Sequence, residues 1–518
     1  MWLGWRIVLS VLLVFLAAFY GLMTAILPLQ LLVVPFVPIA LVGGLCLWLL
    51  PDVGGLYDER FEKYMWWNLG VFMVWPGYVA LALPGLPWIS PLRVVVGLLT
   101  ITFLFNLSTS SYARHEVWKS MNAVPVLNRL FWAFWLLTTV TLVMSPDLSA
   151  SMTKYVNNQI FWTMMFPVAA LVGRREGMIQ RACTILVISA IIVACVGINE
   201  YRMEKVVWID WLPSWLRADE EILATVMEGQ SRAGTEGYRV RGPQTVSLYF
   251  AELLSMVFPL VVHYTYKAPG IFRTILMMLA SCAMMVTMYL TGARSGMIGI
   301  VLTLVIYIFF AALRKRQENP ISIGATATLL AYPAIVGVVT AVVLLWKRAR
   351  NSILGGGQHQ SSNIARDRQW DRGWDLIAQN PFGYGLDRSA EVLNFRNAGG
   401  ELTIDSYYLS VMLDFGIIAL PIFVMLFSLP MYFAIVSLKR ARTLELQLLA
   451  PLAMGLFNFV IIKSVLSSTS NFPLAFAMMG FMVALVARMQ SDDRASDKAE
   501  ADAREEARGS KRVSSAIG

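Results

Sequence analysis

Histidine, cysteine and charged residues are scarce in this sequence, and each scarcity excludes a class of function. The 518 residues include three histidines and four cysteines, and the histidines (His115, His263 and His359) are too scattered to form a His-rich metal site. All four cysteines fall in apolar runs without CxxC or Cys/His ligand spacing, so neither disulfides nor zinc binding is indicated. No GxxxxGK[ST] loop or nucleotide fingerprint occurs, which leaves ATP-driven transport unsupported. We therefore expect no metal and no cofactor.

The balance of apolar and charged residues indicates a membrane protein. Only 14% of the residues are charged and 57% are hydrophobic, a composition that would leave large apolar patches on a water-soluble domain. The net charge of +9 lies mostly in segments beside apolar runs. Lysine and arginine in such segments fix membrane orientation, so the charge does not indicate a nucleic-acid partner.

Apolar runs long enough to cross a bilayer as helices, about 17 to 25 residues each, predict an all-α polytopic bundle of about fourteen spans. The first run lacks a small-residue cleavage site, so we interpret it as a retained span. The predicted spans lie near residues 7–27, 31–50, 66–83, 91–106, 128–145, 158–173, 182–199, 245–265, 271–291, 295–313, 325–346, 408–437, 446–465 and 471–488.

Charges in alternate loops predict the orientation. With both termini cytoplasmic, every inner loop carries lysine or arginine, as topology rules require. The tail alternates acidic and basic residues with almost no large apolar side chain, which is typical of a disordered or fraying helix. The predicted units are N-terminal spans (1–199), a first outer loop (200–244), central spans (245–346), a large outer loop (347–408), C-terminal spans (409–488) and a cytoplasmic tail (489–518).

The two outer loops are rich in arginine, against the topological preference. The first contains Arg239 and Arg241, and the second contains Arg366, Arg368 and Arg372 among others. Guanidinium groups placed against that preference suit anion binding. The alternative is that neighbouring acidic residues pair with them in solvated helices.

The large outer loop contains a predicted amphipathic helix over residues 364–379. Ile364, Trp370, Trp374 and Ile377 form one apolar stripe, and the tryptophans suit the level of the lipid headgroups. This pattern predicts a helix lying on the membrane, either as part of a site or as an anchor alone. Asn380-Pro381 ends the helix, and Gly383 and Gly385 in the next turn allow close backbone approach.

Two further arginines border apolar runs on the outer side. Arg241, in YRVRGPQT, precedes the eighth span, and Arg294, in TGARSG, lies in the turn between the ninth and tenth. They are expected at a common depth, where the diphosphate of a lipid-linked substrate would lie, although a boundary arginine can also simply snorkel. Lys463 and Glu252, inside spans, are candidate pathway residues.

The order and spacing of these motifs resemble the O-antigen ligase and polysaccharide polymerase superfamily of bacterial membrane glycosyltransferases. The resemblance covers about 230 residues, and the earlier spans match only in number and hydropathy. Many O-antigen ligases have His-Asn where this chain has Asp405-Ser406, so the general-base role would shift to Asp405 and a polymerase is favoured over a ligase. The motifs are an Arg-Gly segment (Arg239, Arg241, Gly242), the turn Thr291 to Gly296, Arg368 with Trp374, NPFGYG (Asn380 to Gly385), and Tyr407-Tyr408-Leu409 before Asp414-Phe415-Gly416.

The resemblance implies a GT-C-like enzyme of the bacterial inner membrane, with periplasmic outer loops, acting in exopolysaccharide or O-antigen biosynthesis. Its donor would be a glycan on undecaprenyl diphosphate, its acceptor a glycan or lipid A-core, and its partners other envelope polysaccharide assembly proteins. Asp405 would be the catalytic base. The diphosphate would be bound by Arg239, Arg241, Arg294 and Arg368, and the acceptor or loop positioned by Trp374, Tyr408, Gly383 and Gly385.

Two alternatives compete with glycan transfer. A flippase or exporter of lipid-linked glycan would carry its arginines along a central cavity within the spans, whereas here they concentrate in outer loops. A non-enzymatic scaffold for envelope assembly would use the loops as docking surfaces.

Overall fold

The computed structural model describes residues 59–81, 88–216, 238–350, 360–396 and 400–517, and within them the chain is helical. Strand pairing in these residues is limited to two isolated bridges. The N-terminal half contains α1 (Glu59–Val74), α2 (Pro91–Thr109), α3 (Ser111–Met121), α4 (Pro125–Val140), α5 (Leu148–Asn158), α6 (Met165–Val172) and α7 (Met178–Met203). The rest contains α8 (Ser247–Lys267), α9 (Ile271–Leu290), α10 (Arg294–Glu318), α11 (Ile323–Leu345), α12 (Lys347–Arg350), α13 (Gln360–Gln379), α14 (Ser389–Leu393), α15 (Tyr407–Phe415), α16 (Ala419–Val436), α17 (Leu449–Lys463) and α18 (Phe472–Ile517).

Ten helices in the described ranges are long and apolar enough to cross a membrane. They are α2, α4 with the turn that follows it, α7, α8, α9, α10, α11, α16, α17 with the turn that precedes it, and the first half of α18. An all-helical membrane bundle is thus confirmed, but a count of fourteen spans is not. The predicted spans at 7–27 and 31–50 lie outside the described residues.

Three predicted spans differ from the structure. The run at 66–83 stops being helical at Val74, because Pro76 and Gly77 break the helix. The run at 158–173 begins with a π-helical segment, Gln159–Thr163, and is α-helical only from Met165 to Val172. The run at 408–437 is two helices, α15 and α16, separated at Gly416, whose φ of 87° favours glycine.

The core of the bundle is formed by α6, α8, α17 and α18. In the apolar windows of α17 and α18, 83% and 89% of the residues are buried, whereas in that of α11 none is. Asn458 connects three helices: its amide donates to the Ser255 carbonyl and the Thr303 hydroxyl, both at 2.9 Å. Since a membrane offers little hydrophobic drive between helices, such hydrogen bonds and close packing hold the bundle together.

The tail continues α18 as a helix to Ile517. At the same end of the bundle, the Glu445 carboxylate accepts N–H groups of Gly177 and Ile179 at 2.8 and 3.0 Å and is paired with Arg488 at 2.8 Å. A carboxylate at the start of α7 satisfies N–H groups that have no partner within the helix.

Candidate active site

A cavity of about 430 Å³ opens where α10 begins, and three guanidinium groups line it. They belong to Arg239, before α8, to Arg294, the first residue of α10, and to Arg366, on α13. Asp367 is the one carboxylate among its described lining residues. We call this space the arginine cavity. Its excess of positive charge suits an anion with several oxygen atoms.

The turn from Thr291 to Gly296 holds two of these arginines in place. Arg239 Nε donates to the Thr291 carbonyl at 2.9 Å, and the Thr291 hydroxyl accepts the Ala293 N–H at 3.2 Å. A side chain at Gly292 would meet Arg239 Nε at 3.1 Å, and the φ of 61° there also favours glycine. The TGARSG motif therefore shapes the floor beneath Arg239 and starts α10 at Arg294.

Helix α13 links the cavity to Asp405 through Arg366. Arg294 Nη1 donates to Asn363 Oδ1 on α13 at 3.0 Å, which ties α10 to that helix. One turn further along α13, Arg366 Nε lies 3.7 Å from Asp405 Oδ2. The Asp405 side chain is 32% exposed, and its backbone N–H donates to Gln369 Oε1 at 2.9 Å. A partly exposed carboxylate thus lies next to one of the three guanidinium groups of the cavity.

The NPFGYG turn packs against the end of α15. A side chain at Gly383 would meet the Asp414 carbonyl at 2.6 Å, and one at Gly385 would meet the Ser145 backbone at 2.8 Å. The prediction that these glycines allow close backbone approach is therefore confirmed. The turn fixes the path of the chain between α13 and α14.

Asp414, at the end of α15, supports the same loop. Its carboxylate accepts the N–H groups of Arg388 and Ser389 at 2.9 and 2.7 Å. Burial raises the pKa of Asp414 to about 7, although these two donors act in the opposite direction. Burial likewise raises the pKa of Tyr408 to about 12, and the Tyr408 hydroxyl donates to the Val460 carbonyl at 2.8 Å. Tyr408 thus connects α15 to α17.

The structure brings together only part of the predicted diphosphate site. Arg239 and Arg294 share the arginine cavity, but Arg241 does not line it. Arg241 is fully buried, and its N–H and that of Gly242 donate to the Glu200 carboxylate at 3.0 and 2.8 Å. A ligand cannot reach Arg241 in this arrangement.

Arg368 and Trp374 lie on the exposed side of α13, away from the arginine cavity. Of the predicted apolar stripe, Ile377 is buried, whereas Ile364 and Trp374 are 44% and 50% exposed. The buried side of α13 instead runs through Gln369, Gly373 and Ile377, and it packs on α15.

Arg366 is the cavity residue that the motifs did not single out. A side chain at Gly373 would meet Leu409 at 2.5 Å, which shows how closely α13 approaches α15. Glycine at that position marks the packed side of the helix, and Arg366 lies seven residues before it, on the same side. The glycine was therefore the signal that could have identified Arg366.

Two candidate pathway residues form an ion pair in the core. Lys463 Nζ lies 2.7 Å from Glu252 Oε1, and both side chains are fully buried. The Asn471 amide donates to Glu252 Oε2 at 2.8 Å, and the ammonium lies 4.8 Å from the centroid of the Phe459 ring. The pair connects α8 to α17 just beneath the loop that leads to α18.

Fold and site together define a multi-pass helical membrane protein with an arginine-lined cavity at one end of its bundle. Residues 277–424 match the family model described as O-antigen ligase. Over this part of the chain the match confirms the resemblance to O-antigen ligases seen in the motifs. The match includes Arg294, Arg366 and Asp405 and leaves Arg239 outside. No curated protein matches the chain.

Proposed function

We propose that the protein is a glycosyltransferase that takes a glycan from undecaprenyl diphosphate at the periplasmic face and joins it to the hydroxyl of another glycan, as a polysaccharide polymerase. The observation that carries this proposal is the arginine cavity with Asp405 at its edge. Three guanidinium groups in one cavity suit a diphosphate, and the ion pair with Arg366 keeps Asp405 beside it.

In the proposed reaction the acceptor oxygen attacks the anomeric carbon as the bond from that carbon to the diphosphate oxygen breaks. The hydroxyl proton passes to the Asp405 carboxylate, and undecaprenyl diphosphate leaves with the electron pair. Negative charge grows on the diphosphate during this step, and fixed guanidinium groups stabilise it without reorganising. A carboxylate within reach of the acceptor completes the chemistry.

Arg241 and Arg368, predicted from sequence to bind the diphosphate, receive other roles in this proposal. Arg241 stabilises the segment before α8, because its buried guanidinium attracts the Glu200 carboxylate, which also accepts the backbone N–H groups of Arg241 and Gly242. Arg368 is exposed on α13 and contributes to the long-range attraction of an anionic substrate. Asp405, in place of the histidine of many ligases, is the reason for favouring a polymerase.

The test compares two arginines of the same helix. Purified protein in lipid nanodiscs would be given the lipid-linked glycan that accumulates in a strain lacking it. Arg366→Ala should lower transfer by about 100-fold because it removes charge from the cavity, whereas Arg372→Ala, exposed on α13, should retain activity.

Equal activity of the two variants would contradict the assignment of the cavity. The accumulated glycan itself discriminates between functions: single repeat units indicate a polymerase, full-length chains a ligase, and units left on the cytoplasmic side an exporter.

A further inference from the structure

A second cavity, of about 280 Å³, lies at the same end of the bundle as the arginine cavity and shares no lining residue with it. It is bounded by the segment that joins α5 to α6, by α15 and by the loop between α17 and α18. Nine aromatic residues line it, and the four that also carry a polar group beside the π-helical segment or the loop after α17 are Trp135, Tyr155, Trp162 and Tyr249. These rings offer flat apolar faces inside a cavity whose remaining lining is mostly polar.

The remaining lining is rich in hydrogen-bonding groups. Lys154 Nζ lies 3.4 Å from Asp387 Oδ2 at the rim, where the two side chains are 43% and 59% exposed. Deeper in the cavity the hydroxyls of Ser389 and Ser410 lie 2.7 Å apart. Aromatic faces next to converging hydroxyl, ammonium and carboxylate groups suit a ligand that has apolar faces and many hydroxyls, such as a sugar.

A π-helical segment supplies three of the lining residues, Gln159, Trp162 and Thr163. Gln159–Thr163 interrupts the helical run between α5 and α6, and such interruptions are frequent at functional sites. Trp135 Nε1 donates to Gln159 Oε1 at 3.0 Å, and Trp162 stacks on Phe472 with ring centroids 4.9 Å apart. Both tryptophan rings are thereby held in fixed positions at the cavity wall.

The two cavities lie on either side of the segment that contains Asp405. Ile404 lines the second cavity, whereas its neighbour Asp405 pairs with Arg366 of the arginine cavity. The loop after α17 divides in the same way: Leu466 borders the arginine cavity, and residues 467–470 border the second. A hydrogen bond from the Ser467 hydroxyl to the Ile404 carbonyl joins the two segments. A group bound in either cavity would therefore approach Asp405 from its own side.

We infer that the second cavity binds the terminal sugar of the acceptor glycan. The inference rests on the proposed function and adds the place from which the attacking hydroxyl arrives. The volume is near the lower end of the range for small-molecule sites, about 300–1,000 Å³, which suits one or two sugar rings. The exposed rim at Lys154 and Asp387 lets the rest of the glycan extend outward.

Two substitutions test the inference, and one matched control accompanies them. Lys154→Ala removes the ammonium at the rim, and Ser470→Trp fills the cavity from the loop after α17. Asn157→Ala, exposed on the same helix as Lys154 but not lining the cavity, is the control. The probe is the oligosaccharide released by mild acid from the accumulated lipid-linked glycan. Its binding to purified protein in nanodiscs is followed by saturation-transfer NMR, and its KM as acceptor is measured at saturating lipid-linked donor.

Both lining variants should weaken oligosaccharide binding and raise the acceptor KM by about tenfold or more, with the donor KM within about twofold of wild type. The control should match wild type in both. Unchanged oligosaccharide binding in Lys154→Ala and Ser470→Trp, or no binding to a wild-type protein that consumes donor, would overturn the inference alone. Oligosaccharide binding that depends on these residues in a protein that never consumes the donor would instead overturn the proposed function and leave a carbohydrate site.

Discussion

Charged groups at the site end of the bundle occupy two environments, the open arginine cavity and the closed core. Arg239 and Arg241 show the difference within three residues: Arg239 faces the cavity, whereas Arg241 is fully buried beside Glu200. Lys463 and Glu252 are buried in the same way. Charges that a ligand can reach suit binding and catalysis, while sealed charges must be paired within the protein to be tolerated. The roles of these charged residues therefore depend more on whether a ligand can reach them than on their position in the sequence.

The largest effect on stability is expected from breaking the buried ion pair between Lys463 and Glu252. Lys463→Met leaves Glu252 buried without its partner, so the free energy of unfolding should fall by about 3–5 kcal/mol. The double variant Glu252→Gln, Lys463→Met removes both charges and should recover most of that loss. Thermal unfolding in detergent measures both. If the single variant is as stable as wild type, the pair does not stabilise the core as described.

The next largest effect is expected at Asp405, beside the open arginine cavity. Asp405→Asn keeps the shape and hydrogen bonding of the side chain but removes its basicity, so turnover should fall by about 100-fold or more. Donor binding and the unfolding temperature should remain close to wild type, because the Asp405 side chain is 32% exposed. Retained turnover in Asp405→Asn, with purified donor and acceptor, would leave positioning and arginine electrostatics as the whole of catalysis.

Lysine substitutions at Arg239 and Arg241, made one at a time, compare the accessible arginine with the buried one. Lysine keeps the charge but loses bidentate geometry. Arg239→Lys should weaken donor binding by about tenfold with little effect on stability. Arg241→Lys should instead lower the free energy of unfolding by about 1–3 kcal/mol, because buried hydrogen-bonding groups are disturbed. The opposite pattern in donor titrations and unfolding curves would reverse the assignment of the two residues.

The last prediction is a pH dependence of stability at Asp414. Its pKa rises from 3.8 to about 7 on folding, so the folded state binds the proton more tightly and stability falls as the pH increases from about 4 to about 7. The slope is at most about 1.4 kcal/mol per pH unit. In Asp414→Asn, the unfolding temperature should change less with pH across this range than it does in the wild type. An identical slope in the variant would show that other groups cause it.

Much of the fold could be predicted from sequence because long apolar runs have few alternatives in a bilayer. The differences arise where local signals compete with that rule. Pro76 and Gly77 end α1 early, and Gly416 divides the run that contains α15 and α16. The π-helical segment at Gln159–Thr163 contains no proline or glycine, so no comparable local signal marks it in the sequence.

The site was less predictable than the fold. The motifs identified Arg239, Arg294 and Asp405. The structure places the two arginines in one cavity and Asp405 beside Arg366, which lines the same cavity. Arg241 could not be told from Arg239, because its burial depends on Glu200, far earlier in the chain. Arg366 was hidden among many loop arginines, and only the packing of α13 on α15 points it toward the cavity.

The most direct test of the account is a structure of the protein in nanodiscs with bound undecaprenyl diphosphate-linked glycan, using Asp405→Asn to prevent turnover. The diphosphate is expected in the arginine cavity, with its oxygen atoms within hydrogen-bond distance of the guanidinium groups of Arg239, Arg294 and Arg366. An empty arginine cavity, with the diphosphate bound instead on the exposed side of α13 beside Arg368, would contradict the account.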